Sequence, residues 1–170
     1  LSRIPALTRR LRMAILSKAF RGELLQTEFS EDRSLRFYVK SIGTTPLEES
    51  KHLFEVPKGW IWVKFGALIE SMRNGLYKPS QFYGSGVPCL RMYNILDGEL
   101  SMHNLKLMKL TNHEIQDYEL LAGDILINRV NSKELVGKAA VIPNGLSPIV
   151  FESKNIRIRL KENVNPKYVS

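Results

Sequence analysis

From Trp60 onward the chain is cut into short apolar and β-rich runs separated by Gly, Pro and Asn: Ile61 to Phe65, Val87 to Tyr93, Ile125 to Ile127, Val136 to Ile142 and Ile149 to Leu160. Runs of this length bounded by turn formers predict strands. They are also strand-sized rather than membrane-sized. One helix interrupts them, roughly Thr111 to Leu121, where Thr111 and Glu114 have the spacing of a capping box. This part is therefore restricted to an α+β fold, a strand-rich core of mixed or antiparallel pairing with short helices.

The N-terminal residues follow a different period. Leu7, Leu11, Ala14, Ile15, Ala19 and Leu24 recur at spacings of three, four and their sums, with good helix formers between them, which predicts one amphipathic helix over Leu7 to Leu25. Pro5 suits its start and Gly22 its end. The sequence offers no partner stripe nearby. Two burials stay open: packing on the chain's own domain, or a coiled-coil seam, for which the four-three spacing of Leu7, Leu11 and Ala14 is suited. In the second case Leu7, Leu11, Ala14 and Ile15 form a partner-binding stripe, for another subunit or for self-association. Residues 26 to 58 are the least regular stretch, with a short helix over Leu35 to Ile42, and are expected to be a linker. The expected organisation is thus a helix over 1–25, a linker over 26–58 and a domain over 59–170. Asn165-Pro166-Lys167-Tyr168 has the pattern of a helix start, so the chain is expected to be a fragment.

The chain has 170 residues, 44% of them hydrophobic, enough for a real core. Its formal net charge is +8 and its isoelectric point is near 9.7, a balance that favours polyanions through long-range attraction and counterion release. Residues 1 to 40 carry nine Lys/Arg against four acids, and residues 59 to 170 carry fourteen against ten. Cys89 is the only cysteine, so no internal disulfide and no thiolate metal cage can form, which fits a reducing compartment and a soluble, unsecreted, cytoplasmic protein.

The patterns of catalysis fail one by one. His52, His103 and His113 lack the spacing that places two ligands on one helix face. Gly84-Ser85-Gly86 is explained by a turn before a strand rather than a nucleophile elbow. Asn165-Pro166-Lys167-Tyr168 approximates the Asn-Pro-Pro-Tyr of amino-methyltransferases but lacks the second proline, and no Gly-rich cofactor loop follows a strand. Glu49-Ser50-Lys51 has the acid-x-Lys spacing of metal-dependent nucleases but lies in the polar linker. No cofactor, no metal site and no membrane contact are expected.

What remains is three polar clusters beside strands, where a rigid scaffold presents contact groups. The first is a loop, Arg73-Asn74-Gly75-Leu76-Tyr77-Lys78-Pro79-Ser80, from which Arg73, Asn74, Tyr77, Lys78 and Ser80 are candidate DNA contacts. The second is Arg91-Met92-Tyr93-Asn94 at a strand end, supplying Arg91 and Asn94. The third follows a strongly apolar strand and supplies Arg129, Asn131, Ser132, Lys133 and Lys138. Arg suits guanine O6 and N7, Asn suits adenine N6 and N7, and Lys suits phosphate. The alternative is that Arg91 or Arg129 pairs with an internal acid such as Asp124 and only shapes a turn.

At this point a family resemblance becomes specific. Leu11-Arg12-Met13-Ala14-Ile15-Leu16-Ser17-Lys18-Ala19-Phe20-Arg21-Gly22-Glu23-Leu24 resembles the end of the central spacer helix of type I restriction-modification specificity subunits. Val56 to Val63, Leu90 to Ile95 with Gly98 and Leu100, and Ala122 to Lys138 resemble successive parts of their second target-recognition domain, in the family's order. The resemblance implies a non-catalytic module that reads double-stranded DNA. Two recognition domains, separated by long antiparallel helices, would each read half of a split target. Methyltransferase subunits would be recruited, and a restriction subunit would join them. A pure interaction or scaffolding domain is the alternative, and a nuclease or methyltransferase fragment a third reading.

Overall fold

In a computed structural model of the chain, residues 4–24, 32–130, 132–133, 136–146 and 148–170 are described. The chain divides into two compact units, Leu1–Ala67 and Leu68–Ser170.

The first unit opens with helix α1 (Ile4–Phe20), followed by helix α2 (Asp32–Ser41). Both helices close in the same way. Gly22 (φ 71°) and Gly43 (φ 63°) sit in the left-handed region just past each end, with paired bonds Gly22 N–H to Ala19 O and Glu23 N–H to Lys18 O, and likewise Gly43 to Lys40 and Thr44 to Val39. This Schellman closure satisfies carbonyls that the last turn leaves open. It is also why α1 ends before the predicted Leu25. Leu7, Leu11, Ala14 and Ile15 are exposed along α1. Met13, Leu16 and Phe20, again three and four apart, are exposed too; at roughly 100° per residue they fall on nearly the opposite face, so the helix carries two apolar stripes rather than one.

The stretch Ile61 to Phe65 is not a strand. Leu47 N–H donates to Trp62 O at 2.7 Å, but no ladder follows. Trp62 instead packs edge-on against Phe54, with ring centroids 4.8 Å apart, and its Nε1–H donates to Phe54 O at 3.1 Å. The apolar content that predicted a strand serves a local aromatic cluster, and a 3-10 turn (Phe65–Leu68) follows.

The second unit carries strands β1 (Ile69–Asn74), β2 (Tyr83–Leu90), β3 (Ile95–Leu96), β4 (Glu99–Leu100), β5 (Lys106–Met108), β6 (Ile125–Asn128), β7 (Ala139–Val141), β8 (Val150–Phe151) and β9 (Asn155–Leu160). They form a four-stranded sheet in the order β1-β9-β6-β7, a three-stranded sheet β5-β2-β8 and a β3-β4 pair. Every pairing is antiparallel except β2 with β8. Helix α3 (Asn112–Tyr118) begins at the predicted cap: Thr111 Oγ1 accepts from Glu114 N–H while Glu114 Oε2 accepts from Thr111 N–H. Helix α4 (Pro166–Val169) is capped by Asn165, whose Oδ1 accepts from Lys167 N–H at 2.9 Å. The architecture is the expected α+β, mixed and antiparallel. Its core joins Leu90, Ile95, Leu120, Leu126, Ala140, Ile142, Ile149 and Phe151 across both sheets. A smaller cluster of Leu76, Cys89, Met108 and Val150 lies beside it.

Candidate nucleic-acid interface

The register of the larger sheet decides where the polar clusters end up. Asn74 pairs with Ile156, Asn128 with Asn155 and Ile127 with Ala139. The chain therefore leaves β1 and β6, and enters β7 and β9, at one end of the sheet. Leu90, the last residue of β2, pairs with Phe151, and Glu152 N–H donates to Leu90 O at 3.0 Å. All three clusters foreseen from sequence thus emerge at the same end, around the turn Glu152-Ser153-Lys154 that joins β8 to β9.

Hydrogen bonds tie each cluster to that turn. From the first loop, Gly75 N–H donates to Asn155 O at 3.0 Å, Leu76 N–H to Phe151 O at 3.1 Å, and Ser153 N–H returns to Leu76 O at 2.9 Å. The approach is close enough that a Cβ on Gly75 would lie 2.1 Å from Glu152 O. From the β6–β7 hairpin, Arg129 N–H donates to Lys154 O at 2.9 Å and Arg129 Nε to Ser153 O at 2.7 Å. Beneath them the buried Asn128 donates through Nδ2 to Lys154 O and to Asn155 Oδ1. Backbone groups that would otherwise be orphaned at a strand end are satisfied mutually, which holds the loops in one arrangement.

The candidate side chains differ in what is left to them. Tyr77 is 78% exposed, and Asn74, Ser80, Arg129, Ser132 and Lys133 are also exposed, with Lys138 half-buried. Asn131 lies outside the described residues. Arg73, in contrast, pairs with Asp117 at 3.3 Å and stacks over Tyr118 at 5.2 Å. Lys78 pairs with Glu114 and lies over Phe82. Arg73 and Asn74 close strand β1 rather than standing in a loop, and helix α3 presents a carboxylate to each of the two cations of this first cluster. Neither Arg91 nor Arg129 pairs with Asp124, the acid weighed for that role in the sequence. Arg159 takes it instead, through two bonds of 2.7 and 2.8 Å. Arg91 lies over Tyr93 at 5.5 Å.

Asn94 requires a correction. It is 4% exposed; its Oδ1 accepts from Arg91 N–H, and its Nδ2 donates to Ser101 O and His103 O. Its amide is consumed in shaping the turn after β2, and no group on it remains for a base edge. The polar turn Glu152 to Lys154 went unforeseen, because Ile149 to Leu160 reads as one run. Its signal was available: Glu-Ser-Lys-Asn is four polar residues in a row, with two turn formers among them. Lys106, on β5, was also missed.

A cleft of about 400 Å³ opens at this end, lined by Tyr77, Lys78, Ser80, Tyr83, Arg91, Lys106 and Glu152. Burial pushes the Cys89 thiol up to about 12, with the Glu152 carboxylate adding to the effect. Tyr83 is raised as well, by burial first and then by its neighbours Cys89 and Glu152. Both groups stay protonated at neutral pH, so Glu152 and the cations supply the charge of the cleft. Within the sheet, Arg157 is paired in register with Arg73; it is 6% exposed, and burial lowers its affinity for the proton. Asp124 raises that of Arg159. Among the described residues no three His, Cys, Asp or Glu side chains gather to hold a metal ion, and no helix is long and apolar enough to cross a membrane.

No family model matches the chain. The chain is 30% identical over 164 residues to the type I restriction enzyme StySPI specificity subunit of Salmonella potsdam, covering 96% of this chain and 30% of that protein. The EcoKI specificity subunit of Escherichia coli strain K12 is 23% identical over 168 residues, covering 98% and 32% respectively. A putative MjaX specificity subunit of Methanocaldococcus jannaschii is 27% identical over 118 residues. Among solved structures, the HsdS subunit from Thermoanaerobacter tengcongensis aligns over 99% of this chain and 37% of its own, with a TM-score of 0.52 at 16% identity, which supports the fold. The chain spans about a third of the length of the curated relatives it matches. Its sequence and its α+β fold make it a relative of the type I restriction enzyme specificity subunits, corresponding to about a third of such a subunit.

Proposed function

We propose that the chain is a non-catalytic DNA-reading module of a type I restriction-modification specificity subunit. The second unit meets double-stranded DNA through the sheet end that carries the 73–80 loop, Arg91, the β6–β7 hairpin and the 152–154 turn. The observation that carries this reading is the convergence: three polar segments far apart in sequence are bonded to the 152–154 turn and the residues flanking it, and they present amides, hydroxyls and guanidinium groups on rigid supports. Preorganised donors of these types suit base edges and phosphates. Arg129, Ser132, Lys133, Lys138, Tyr77, Ser80, Asn74, Asn131 and Arg91 form the proposed contact set, joined by Lys106 and Lys154. Arg73 and Lys78 join it only by leaving Asp117 and Glu114.

The exposed stripe of Leu7, Leu11, Ala14 and Ile15 on α1 serves assembly with methyltransferase subunits and, through them, with a restriction subunit. Methyl transfer and cleavage belong to those subunits. Duplex binding across a salt series tests the DNA reading. Affinity is expected to fall steeply with salt, by a slope that counts the phosphates neutralised. A flat response would remove it and leave protein scaffolding as the use of this surface.

A further inference from the structure

Among the described residues, Glu152 is the one carboxylate lining the cleft that Lys78, Arg91 and Lys106 also line. Its backbone is fixed from three sides: its N–H donates to Leu90 O, its carbonyl accepts from Asn155 N–H at 3.0 Å, and it bridges Leu76. The side chain is half-buried, and Oε1 accepts only a long bond of 3.4 Å from Met92 N–H. Among the described residues it forms no ion pair, and Lys78 is committed to Glu114.

On a surface that meets phosphates, an unpaired carboxylate only repels, unless something on the DNA answers it. A carboxylate accepts and cannot donate. In the major groove the donors are the N4 amino group of cytosine and the N6 amino group of adenine, whereas guanine and thymine present oxygen acceptors in their place. Adenine sets the N7 acceptor beside its amino group, which a second carboxylate oxygen would meet unfavourably. Cytosine has no such neighbour. Arg91, in the same cleft, carries the donors that suit O6 and N7 of the guanine paired with that cytosine.

We propose that Glu152 is a specificity-determining residue that accepts a hydrogen bond from cytosine N4, selecting a C·G pair at one position of the target. The proposal rests on the DNA reading above. Glu152 weakens binding to every sequence and weakens it least where a cytosine answers it, so its contribution is to selectivity rather than affinity.

Selection by the full chain from a pool of duplexes randomised over the target tests this. The native chain is expected to prefer cytosine at one position by about tenfold or more. Glu152→Gln keeps the shape and the bond from Met92. It is expected to lose that preference or extend it to adenine, to keep the preferences at other positions, and to bind non-specific duplex more tightly because a negative charge is gone. Glu152→Lys replaces the acceptor by a donor and is expected to turn the preference at that position toward guanine. Unchanged selection in both variants, with native DNA binding intact, would overturn the role of Glu152 alone. Absence of duplex binding by the native chain would overturn the DNA reading together with it.

Discussion

Replacing Gly75 by alanine is expected to disrupt the arrangement of the proposed interface while leaving its contact residues chemically untouched. An alanine Cβ would sit 2.1 Å from Glu152 O, 2.4 Å from Glu152 C and 2.7 Å from Phe151 O. All three are backbone atoms, so no side chain can rotate out of the way. Normal contact needs more than 3 Å, so the 73–80 loop and the 152–154 turn must part by about 1 Å. Overpacking of this kind costs about 1–3 kcal/mol. The bonds of Gly75 to Asn155, Leu76 to Phe151 and Ser153 to Leu76 lie across the parting seam, each worth about 1 kcal/mol if lost. The reduced freedom of the unfolded chain returns about 0.4–1 kcal/mol. A net loss of about 2–3 kcal/mol lowers the melting temperature of a unit this size by about 8–12 °C. Thermal melting followed by circular dichroism measures it, and duplex binding well below the transition reports the loops. Gly66→Ala is the control, since nothing lies within 4 Å of its position. Native melting and native DNA affinity in Gly75→Ala would refute the claim that the close approach at the turn organises the surface.

Glu114→Gln keeps an oxygen for the α3 cap but releases Lys78, so duplex affinity should rise and the salt slope steepen by about one unit. The bond from Lys78, and then that from Thr111 N–H, hold the Glu114 carboxyl below its ordinary range. A depressed folded-state value means that this stabilisation is present above the usual carboxylate pKa of about 4.3 and is lost as pH falls through the lower folded value; the protection of the Thr111 amide relative to its intrinsic exchange rate should be unchanged from pH 7 to 5 and fall only below. Arg129→Ala should cost about 1–3 kcal/mol on the target and relax one base position, whereas Lys133→Ala should weaken all sequences alike. A drop in melting temperature in Arg129→Ala with native DNA affinity would instead limit Arg129 to its bond with Ser153. Leu11→Asp with Ile15→Asp should abolish assembly with methyltransferase subunits, read by size-exclusion chromatography, while the second unit still melts cooperatively; surviving assembly would move the contact to another face.

Local chemistry was legible in the sequence wherever it is self-contained. The Thr111–Glu114 capping box, the Gly22 helix end and the Asn165 cap each depend on residues within five positions of one another, so their geometry follows from residue type. Strand β6 and the hairpin after it were visible because an apolar run ends in turn formers. Strand β1 was not: along Ile-Glu-Ser-Met-Arg-Asn the half-buried positions are Ile69, Ser71 and Arg73, while Met72 faces out, an inverted polarity that no periodicity rule would accept. The break between β8 and β9 was hidden in the same way, since β9 is covered on both faces and buries Arg157 as well as Ile158.

The candidate site divides along the same line. Which residues stand at one end of the sheet follows from register, and register is set by pairings such as Asn74 with Ile156 and Asn128 with Asn155, about 80 and 27 positions apart. A sequence reading can nominate polar clusters, but it cannot show that they converge. Nor can it show which cations are already engaged. Arg73 and Lys78 stand among the candidate donors in the sequence, yet Asp117 and Glu114 reach both from a helix some forty residues away. Arg129, with an acid five residues before it, looked more open to internal pairing, and the structure leaves it exposed, bonded through Nε to a carbonyl. Among the described residues that is the one side-chain bond of Arg129; it orients the guanidinium and leaves the two terminal NH₂ groups for a partner, the arrangement a planar fork needs to meet guanine at two points. Lys at this position would have one ammonium to divide between Ser153 O and the base. Arg129→Lys is therefore expected to lose most of the base discrimination lost in Arg129→Ala while keeping the salt slope, and a lysine variant with native selectivity would show that charge, rather than the oriented fork, is what position 129 supplies.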